Sequence, residues 1–512
     1  MNITSIINYR AKFNRDKIAV IFENKSFTYG EFNDRVNRLG NALMVMGIKK
    51  GDRVAYWMQN CNEIVETYYA LAKIGAPMVP LSTAYLTSDA ENILNRSGAR
   101  TLIFQDIFTQ HVKQILPNIS QVEKFIYIGN KPDMEAMEYE SVLSSSSNEE
   151  PSVEVNMDDD IGYIPTGGST GLPKLVVLPQ GRQFWVSLDA LLMLGLRDDD
   201  IYLNVLPLFH GAGQTQCMNP TFLIGGTNVI LRKADPEQIL KYIDKYKCTA
   251  LLNMPPAFIT WLCQHPNSKD YDVSSLRIYY VAGGPMSMEI RKQIFDFFPN
   301  ATLYYIWGFG EAGPDGSALR VTRDNPLLKD GSCGVVMMDA DWKIVDEDDN
   351  EVAVGEVGEI CLRGPNMAKG YYLNEEETKN TFKDGWVHSG DLMKADEDGY
   401  IYFIDRKKDM IKSGGLNVFA NEVEAVIFGH SKVYDCAVIG VPDEKWGEAV
   451  KGVVVLKENE KVTEKELISF CKERLTGYKV PKSIDFVKKI PRNPSGKLMK
   501  FELRKQYLEP IR

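Results

Sequence analysis

Apolar runs recur along the chain between turn residues: KIAVIF from Lys17, DRVAYWM from Asp52, ARTLIF from Ala99, KFIYIG from Lys124, TALLNM from Thr249, LRIYYVAGG from Leu276 and ATLYYIWG from Ala301. Each has the length of a strand. Between them lie stretches such as Tyr29–Gly47 and Asn62–Ile74, whose apolar positions recur with helical spacing. Strands alternating with amphipathic helices predict βαβ units and largely parallel sheets. Gly47 is expected to end one helix before a strand over Arg53–Met58. The segment SVLSSSSNEEP, Ser141–Pro151, reads as a solvent-exposed low-complexity loop.

From Trp342 the pattern changes. WKIVDEDDNEVAVGEVGEICLRG alternates short β runs with acidic turns and glycine, which predicts an antiparallel β region. Asp346–Asn350 has part of a calcium-loop spacing but lacks its glycine, so a hairpin turn is expected. After Tyr400 come IYFIDRKKDMIKSGG, a helix over Ala420–Gly429, strands Cys436–Val441 and Val450–Leu456, a helix over Glu464–Leu475 and a basic tail. These make a compact α+β module.

The length of 512 residues suits several domains, and 44% hydrophobic with 25% charged residues is ordinary globular composition. A net charge of −10 argues against a dedicated nucleic-acid binder. Charge is uneven: Glu460–Arg512 holds 14 Lys/Arg against seven Asp/Glu. Such a basic lobe suits a polyanionic ligand. Eight scattered cysteines form no C-x-x-C pair, and Met1–Asp16 has no apolar signal core. Reduced thiols and a cytoplasmic location are expected. No apolar run approaches the roughly 18 residues of a membrane span.

The densest chemistry lies in DIGYIPTGGSTGLPKLVVLP, Asp160–Pro179. Thr166-Gly167-Gly168-Ser169-Thr170-Gly171 followed by Lys174 offers backbone donors, hydroxyls and one cation to phosphate oxygens. A Walker A loop requires a helix after its lysine, and a nucleophile elbow requires strand–turn–helix. The β-like run LVVLP fits neither. Gly308-Phe309-Gly310-Glu311-Ala312-Gly313 matches G-x-G-x-x-G, but Pro314-Asp315-Gly316 follows it as a turn, which argues against a dinucleotide fold.

Several ordered motifs together resemble the adenylate-forming superfamily of acyl-CoA and aryl-CoA ligases, luciferases and peptide-synthetase adenylation domains. They are TGGSTGLPK, WGFGE, GWVHSGD, DRKKDMIKSGG and PRNPSGK, flanked by PLFH, AGGP and RGPNMAKGYYLNEEET. The resemblance implies an α/β fold: a large N-terminal domain of βα-layered sheets plus a β subdomain, residues 1–405, and a small mobile α+β C-terminal domain, residues 406–512, hinged near Lys408. It implies activation of a carboxylic acid by ATP with Mg²⁺, then transfer to CoA.

Carried over by position, Thr166 to Lys174 should cradle the β- and γ-phosphates, and Glu311 should hold Mg²⁺. Trp307 and Gly308 should lie against adenine, bordered by Gly283, Gly284 and Pro285. Asp391 and Arg406 should meet the ribose. Lys408, Gly414 and Gly415 belong to the hinge motif. Lys497 should bridge the substrate carboxylate and the α-phosphate, and His210 should gate the acyl pocket.

The sequence departs from the family at Gly167, Leu175, Gly310 and Ser389. Gly167 and Gly310 stand where hydroxyl residues are usual, which leaves the adenylation rate open and admits a catalytically degenerate nucleotide-binding homologue. His210 replaces the aspartate of amino-acid-activating relatives, which disfavours an amino acid. Glycines in His210–Gln214 and Gly308–Gly316 leave room for a bulky or aromatic acid. RDDDIYLNVLPLFH also resembles carnitine-type CoA ligases. A separate carrier protein is the alternative acceptor to CoA, and either a monomer or a homodimer fits.

Overall fold

In this computed structural model the described residues are 3–166, 173–253, 255–284, 286–492 and 498–508. All seven apolar runs form strands, from Ile18–Phe22 to Thr302–Phe309. They divide between a nine-stranded and an eight-stranded sheet. Strand pairs at the centre of both sheets are parallel, as the βαβ pattern predicts. The departures lie at particular edges. Asp160–Thr166 pairs antiparallel with Lys174–Pro179, and Thr302–Phe309 pairs antiparallel with Gly313–Val321. The strands that flank each glycine motif therefore pair with one another, and a strand rather than a helix follows each.

An amphipathic helix over Asn62–Ile74 would show water one face; instead all its residues are buried. It joins the largest core cluster with residues of the helix Tyr29–Val45 and the strands Ile18–Phe22 and Val54–Trp57. Burial forces its polar residues into pairs. Glu66 accepts hydrogen bonds from Arg35 at 2.8 and 3.1 Å, Asn62 at 2.8 Å and Tyr139 at 2.9 Å. Lys73 donates to Asn8, Asn33, Asn37 and Glu150.

The serine-rich segment is mostly exposed, as expected, but it is not all loop and not unrestrained. Its first half falls in the helix Tyr139–Ser144. Its second half is strapped down, because Asn37, Arg38 and Asn41 donate to the carbonyls of Asn148, Ser146, Ser147 and Glu149. Polar side chains on the helix Tyr29–Val45 thus satisfy a backbone that composition alone marks as solvated.

A third sheet of five strands contains Asp341–Val345, Gly358–Arg363 and Trp386–Ala395, with Ile401–Arg406 against the last of these. It is antiparallel, as expected. In its acidic turn Asp346 accepts the backbone N–H groups of Asp348 and Asn350, so the carboxylate closes a hairpin. The smaller C-terminal domain has its own mixed, mainly antiparallel sheet. It includes Ile411–Ser413, Val433–Asp443 and Gly447–Leu456, packed against the helices Ala420–Phe428 and Glu464–Lys472. Among the described residues no helix is long and apolar enough to cross a membrane.

Arg35→Met should strand a fully buried carboxylate at Glu66. Removing one partner of such a pair costs about 3–5 kcal/mol. Burial already raises the pKa of Glu66, with Arg35 as the main opposing influence. A carboxyl whose folded pKa is raised binds its proton more tightly when folded, so stability falls as pH rises. Denaturant titrations should show the variant's deficit growing as pH rises above the ordinary carboxylate range.

Candidate active site

Three sheets meet at the motif residues. The eight-stranded sheet supplies the hairpin Asp160–Pro179, with Thr166 opposite Lys174 in register. Between them, Gly167, Gly168, Ser169, Thr170 and Gly171 lie outside the described residues, as do Pro285 and Lys497. Leu175 takes a place in the core, fully buried. That packing is the physical use of a side chain where the family usually has glycine.

The nine-stranded sheet supplies Trp307, Gly308, Gly310 and Glu311. Gly308 lies at a register shift between Trp307 and Phe309. Such an irregularity bends the strand and increases its local twist. A Cβ on Gly310 would stand 3.2 Å from the Thr166 methyl. Thr166 therefore lies close to Gly310, and the missing side chain at Gly310 leaves room for it. Arg182, buried on the helix Gln180–Leu194, donates to the Gly310 carbonyl at 2.7 Å. The Ala368 N–H donates to the Glu311 carbonyl at 2.7 Å.

Glu311 and Lys174 connect through residues that motif spacing does not single out. The Tyr371 hydroxyl donates to the Glu311 carboxylate at 2.6 Å. Burial, then the Glu311 charge, raise the Tyr371 pKa, so the phenol keeps its proton. The Lys174 ammonium lies 4.9 Å from the Tyr371 ring centre and pairs with Glu377. Tyr371 and Glu377 lie in the quoted stretch GYYLNEEET, but nothing in their spacing marks them as facing the hairpin.

The five-stranded sheet supplies Asp391 and Arg406, which are cross-strand partners. The buried Asp391 carboxylate accepts a hydrogen bond from the Trp307 indole at 2.8 Å and pairs with Arg406 at 3.2 Å. Ser389 holds the turn before it, accepting the Asp391 N–H at 3.0 Å and donating to the Ile360 carbonyl at 2.6 Å. Either hydroxyl residue could make those bonds, so Ser389 for threonine is a mild change. Glu359 accepts the Gly390 N–H, the Lys407 ammonium and a contact from His388. Burial would raise its pKa; His388, Lys407 and the Gly390 N–H overcome this and hold it at about 2.

On the same sheet as Trp307, Gly283 has a φ of 79°, a left-handed conformation that suits glycine. The Gly284 carbonyl accepts from the Tyr305 hydroxyl at 3.0 Å. His210 follows the strand Ile201–Asn204 by a short loop. Its side chain reaches water, yet the surrounding protein desolvates it and lowers its pKa from 6.5. Its Nδ1 accepts the Ala212 N–H at 3.3 Å, which puts the proton of the neutral ring on Nε2. A turn of π-helix follows at Gly213–Met218. Such turns frequently accompany functional sites.

Lys408 falls in the short turn Lys407–Asp409 after the last strand of the five-stranded sheet. It reaches water too, but desolvation and then Arg406 lower its pKa. Gly414 and Gly415, at φ of 61° and 79°, turn the C-terminal hairpin Ile411–Val418. Gly414 touches Trp446, and Gly415 faces open space.

This arrangement suits a nucleotide triphosphate. A hairpin with a lysine faces one half-buried carboxylate, and an acid–indole–guanidinium cluster lies beside them. Magnesium needs only one or two protein carboxylates when phosphates complete its shell. Glu311 offers one, and among the described residues no group of three potential ligands occurs.

The chain matches the family model "AMP-binding enzyme" over residues 7–372 and "AMP-binding enzyme C-terminal domain" over residues 422–497. It is 35% identical to a feruloyl-CoA synthase of Amycolatopsis sp. over 500 residues, 97% of each chain. It is 31% identical to a crotonobetaine/carnitine–CoA ligase of Salmonella agona, over 96% of each chain. A fatty acyl CoA synthetase structure from Mycobacterium tuberculosis superimposes with a TM-score of 0.81 at 31% identity, covering 99% of this chain and 98% of that one. The hairpins, the carboxylates and these likenesses agree: the chain belongs to the AMP-binding enzymes, and is an AMP-forming acyl-CoA synthetase of the adenylate-forming superfamily.

Proposed function

We propose that the region bordered by Thr166, Lys174, Glu311 and Asp391 is where this ligase joins a carboxylic acid to AMP. The enzyme activates the acid with ATP, releasing pyrophosphate, and then forms a thioester with CoA. The single observation that carries the site assignment is the convergence of Thr166, Lys174, Glu311 and Asp391 from three different sheets.

In this reading Lys174 and the Thr166–Gly171 backbone hold the β- and γ-phosphates. Glu311 holds Mg²⁺, which supplies neutralising charge to the phosphates. Trp307, Gly308 and Gly283–Pro285 flank the adenine. Asp391 accepts from the ribose hydroxyls, and Arg406 fixes its carboxylate. Lys497 bridges the incoming carboxylate and the α-phosphate, which offsets repulsion between two anions. His210, neutral by desolvation, borders the acyl group without adding charge.

The change of sheet between Arg406 and Ile411 supports residues 1–405 and 406–512 as the two domains, with Lys408 at the hinge. A basic C-terminal lobe that moves could deliver Lys497 in one pose and meet CoA phosphates in the other.

We infer that the acid is aromatic. The 35% identity to a feruloyl-CoA synthase supports this.

A panel of aryl, fatty and betaine acids, read by pyrophosphate release with and without CoA, tests both statements. Pyrophosphate should require ATP and an acid, with aryl acids fastest, and AMP release should require CoA. Transfer only to a carrier protein would contradict the acceptor; fastest turnover of fatty acids would contradict the acid class. Lys497→Ala should slow adenylation by about 100-fold or more, the scale of losing one transition-state donor. It should leave thioester formation from supplied acyl-AMP nearly unchanged. Equal loss in both half-reactions would contradict a two-pose mechanism.

A further inference from the structure

Lys174 does not wait for its ligand as a free cation. Its ammonium is paired with Glu377, with the Lys174 side chain 19% exposed and that of Glu377 38% exposed. Glu377 belongs to the short helix Glu375–Thr381, whose first turn carries three glutamates. Only Glu377 of the three is turned toward the hairpin; Glu375 and Glu376 are exposed.

The helix is fixed at several points. Asn374 accepts the Glu377 N–H at 3.2 Å. Thr378 accepts the Tyr371 N–H at 2.9 Å and donates to the Asn374 carbonyl at 2.8 Å. Tyr371 in turn holds Glu311 and lies under Lys174. The helix backbone is therefore held beside Tyr371, and the Glu377 side chain can move without disturbing it.

We propose that Glu377 is a positioning residue that holds Lys174 extended across Tyr371 in the nucleotide-free enzyme and competes with the phosphates of ATP for its charge. This rests on Lys174 being the phosphate lysine. One ammonium cannot serve a carboxylate and a phosphate equally well, because the two anions repel each other when they share it. The phosphates must therefore displace Glu377 or accept its charge nearby. Both alternatives weaken ATP binding relative to a site without the carboxylate. In return the lysine is ordered before ATP arrives.

The test compares wild type, Glu377→Gln and the control Glu376→Gln, which removes the same charge from the same helix turn. Calorimetric titration with MgATP and initial rates at saturating acid are both measured. An ion pair this exposed is weak, so Glu377→Gln should tighten MgATP binding and lower the KM for ATP by about two- to fivefold. Its kcat should stay within about twofold of wild type, and Glu376→Gln should match wild type throughout.

Unchanged or weaker ATP binding in Glu377→Gln would overturn the proposal, and so would an equal gain in Glu376→Gln. If Glu377→Gln fails to fold, Glu377→Asp serves instead. Its shorter side chain loosens the pair, so it should shift ATP affinity in the same direction; no shift would overturn the proposal. Failure of wild type itself to bind MgATP would instead defeat the nucleotide assignment.

Discussion

The carboxylate of Asp391 is the tie on which the site depends. It accepts the Trp307 indole from the nine-stranded sheet and pairs with Arg406 on its own sheet. A buried carboxylate without such partners would shed its charge or destabilise the fold. With them it remains an acceptor and ties two sheets together. The strand that carries Arg406 is the last of the five-stranded sheet in chain order.

A second constraint is electrostatic. A site that takes a triphosphate must concentrate cations and donors, and those groups repel one another when no ligand is present. Internal carboxylates answer this problem. Glu377 meets Lys174, Asp391 meets Arg406, and Glu359 meets Lys407 while accepting the Gly390 N–H. The positive surplus of Glu460–Arg512 lies in the C-terminal part, so the motif residues of the three sheets need not carry all the charge the phosphates require.

Much of this is legible in the sequence. The seven apolar runs mark the strands, and the β-like run after Lys174 is enough by itself to exclude a Walker A loop. Thr166, Trp307, Glu311, Asp391 and Arg406 carry motif signals, and the fold draws them together. Three features are not legible, each because it depends on pairing across long separations. Asn62–Ile74 reads as amphipathic because its polar residues are satisfied by partners such as Arg35 and Tyr139, far away in sequence. The serine-rich segment reads as an exposed loop, and its restraints do not show because they come from Asn37, Arg38 and Asn41. Tyr371 and Glu377 carry no signal of their own, since 203 residues separate Glu377 from Lys174.

In the proposed assignment Asp391 anchors the nucleotide through its ribose. Calorimetric titration of wild type and Asp391→Asn with AMP and with 2′,3′-dideoxy-AMP tests it most directly. Hydrogen bonds to a charged group are worth about 1.5–3 kcal/mol each. Wild type should therefore prefer AMP over the dideoxy analogue by at least about tenfold. Asp391→Asn should lose most of that preference while still binding both. An undiminished preference in Asp391→Asn, or none in wild type, would contradict the account.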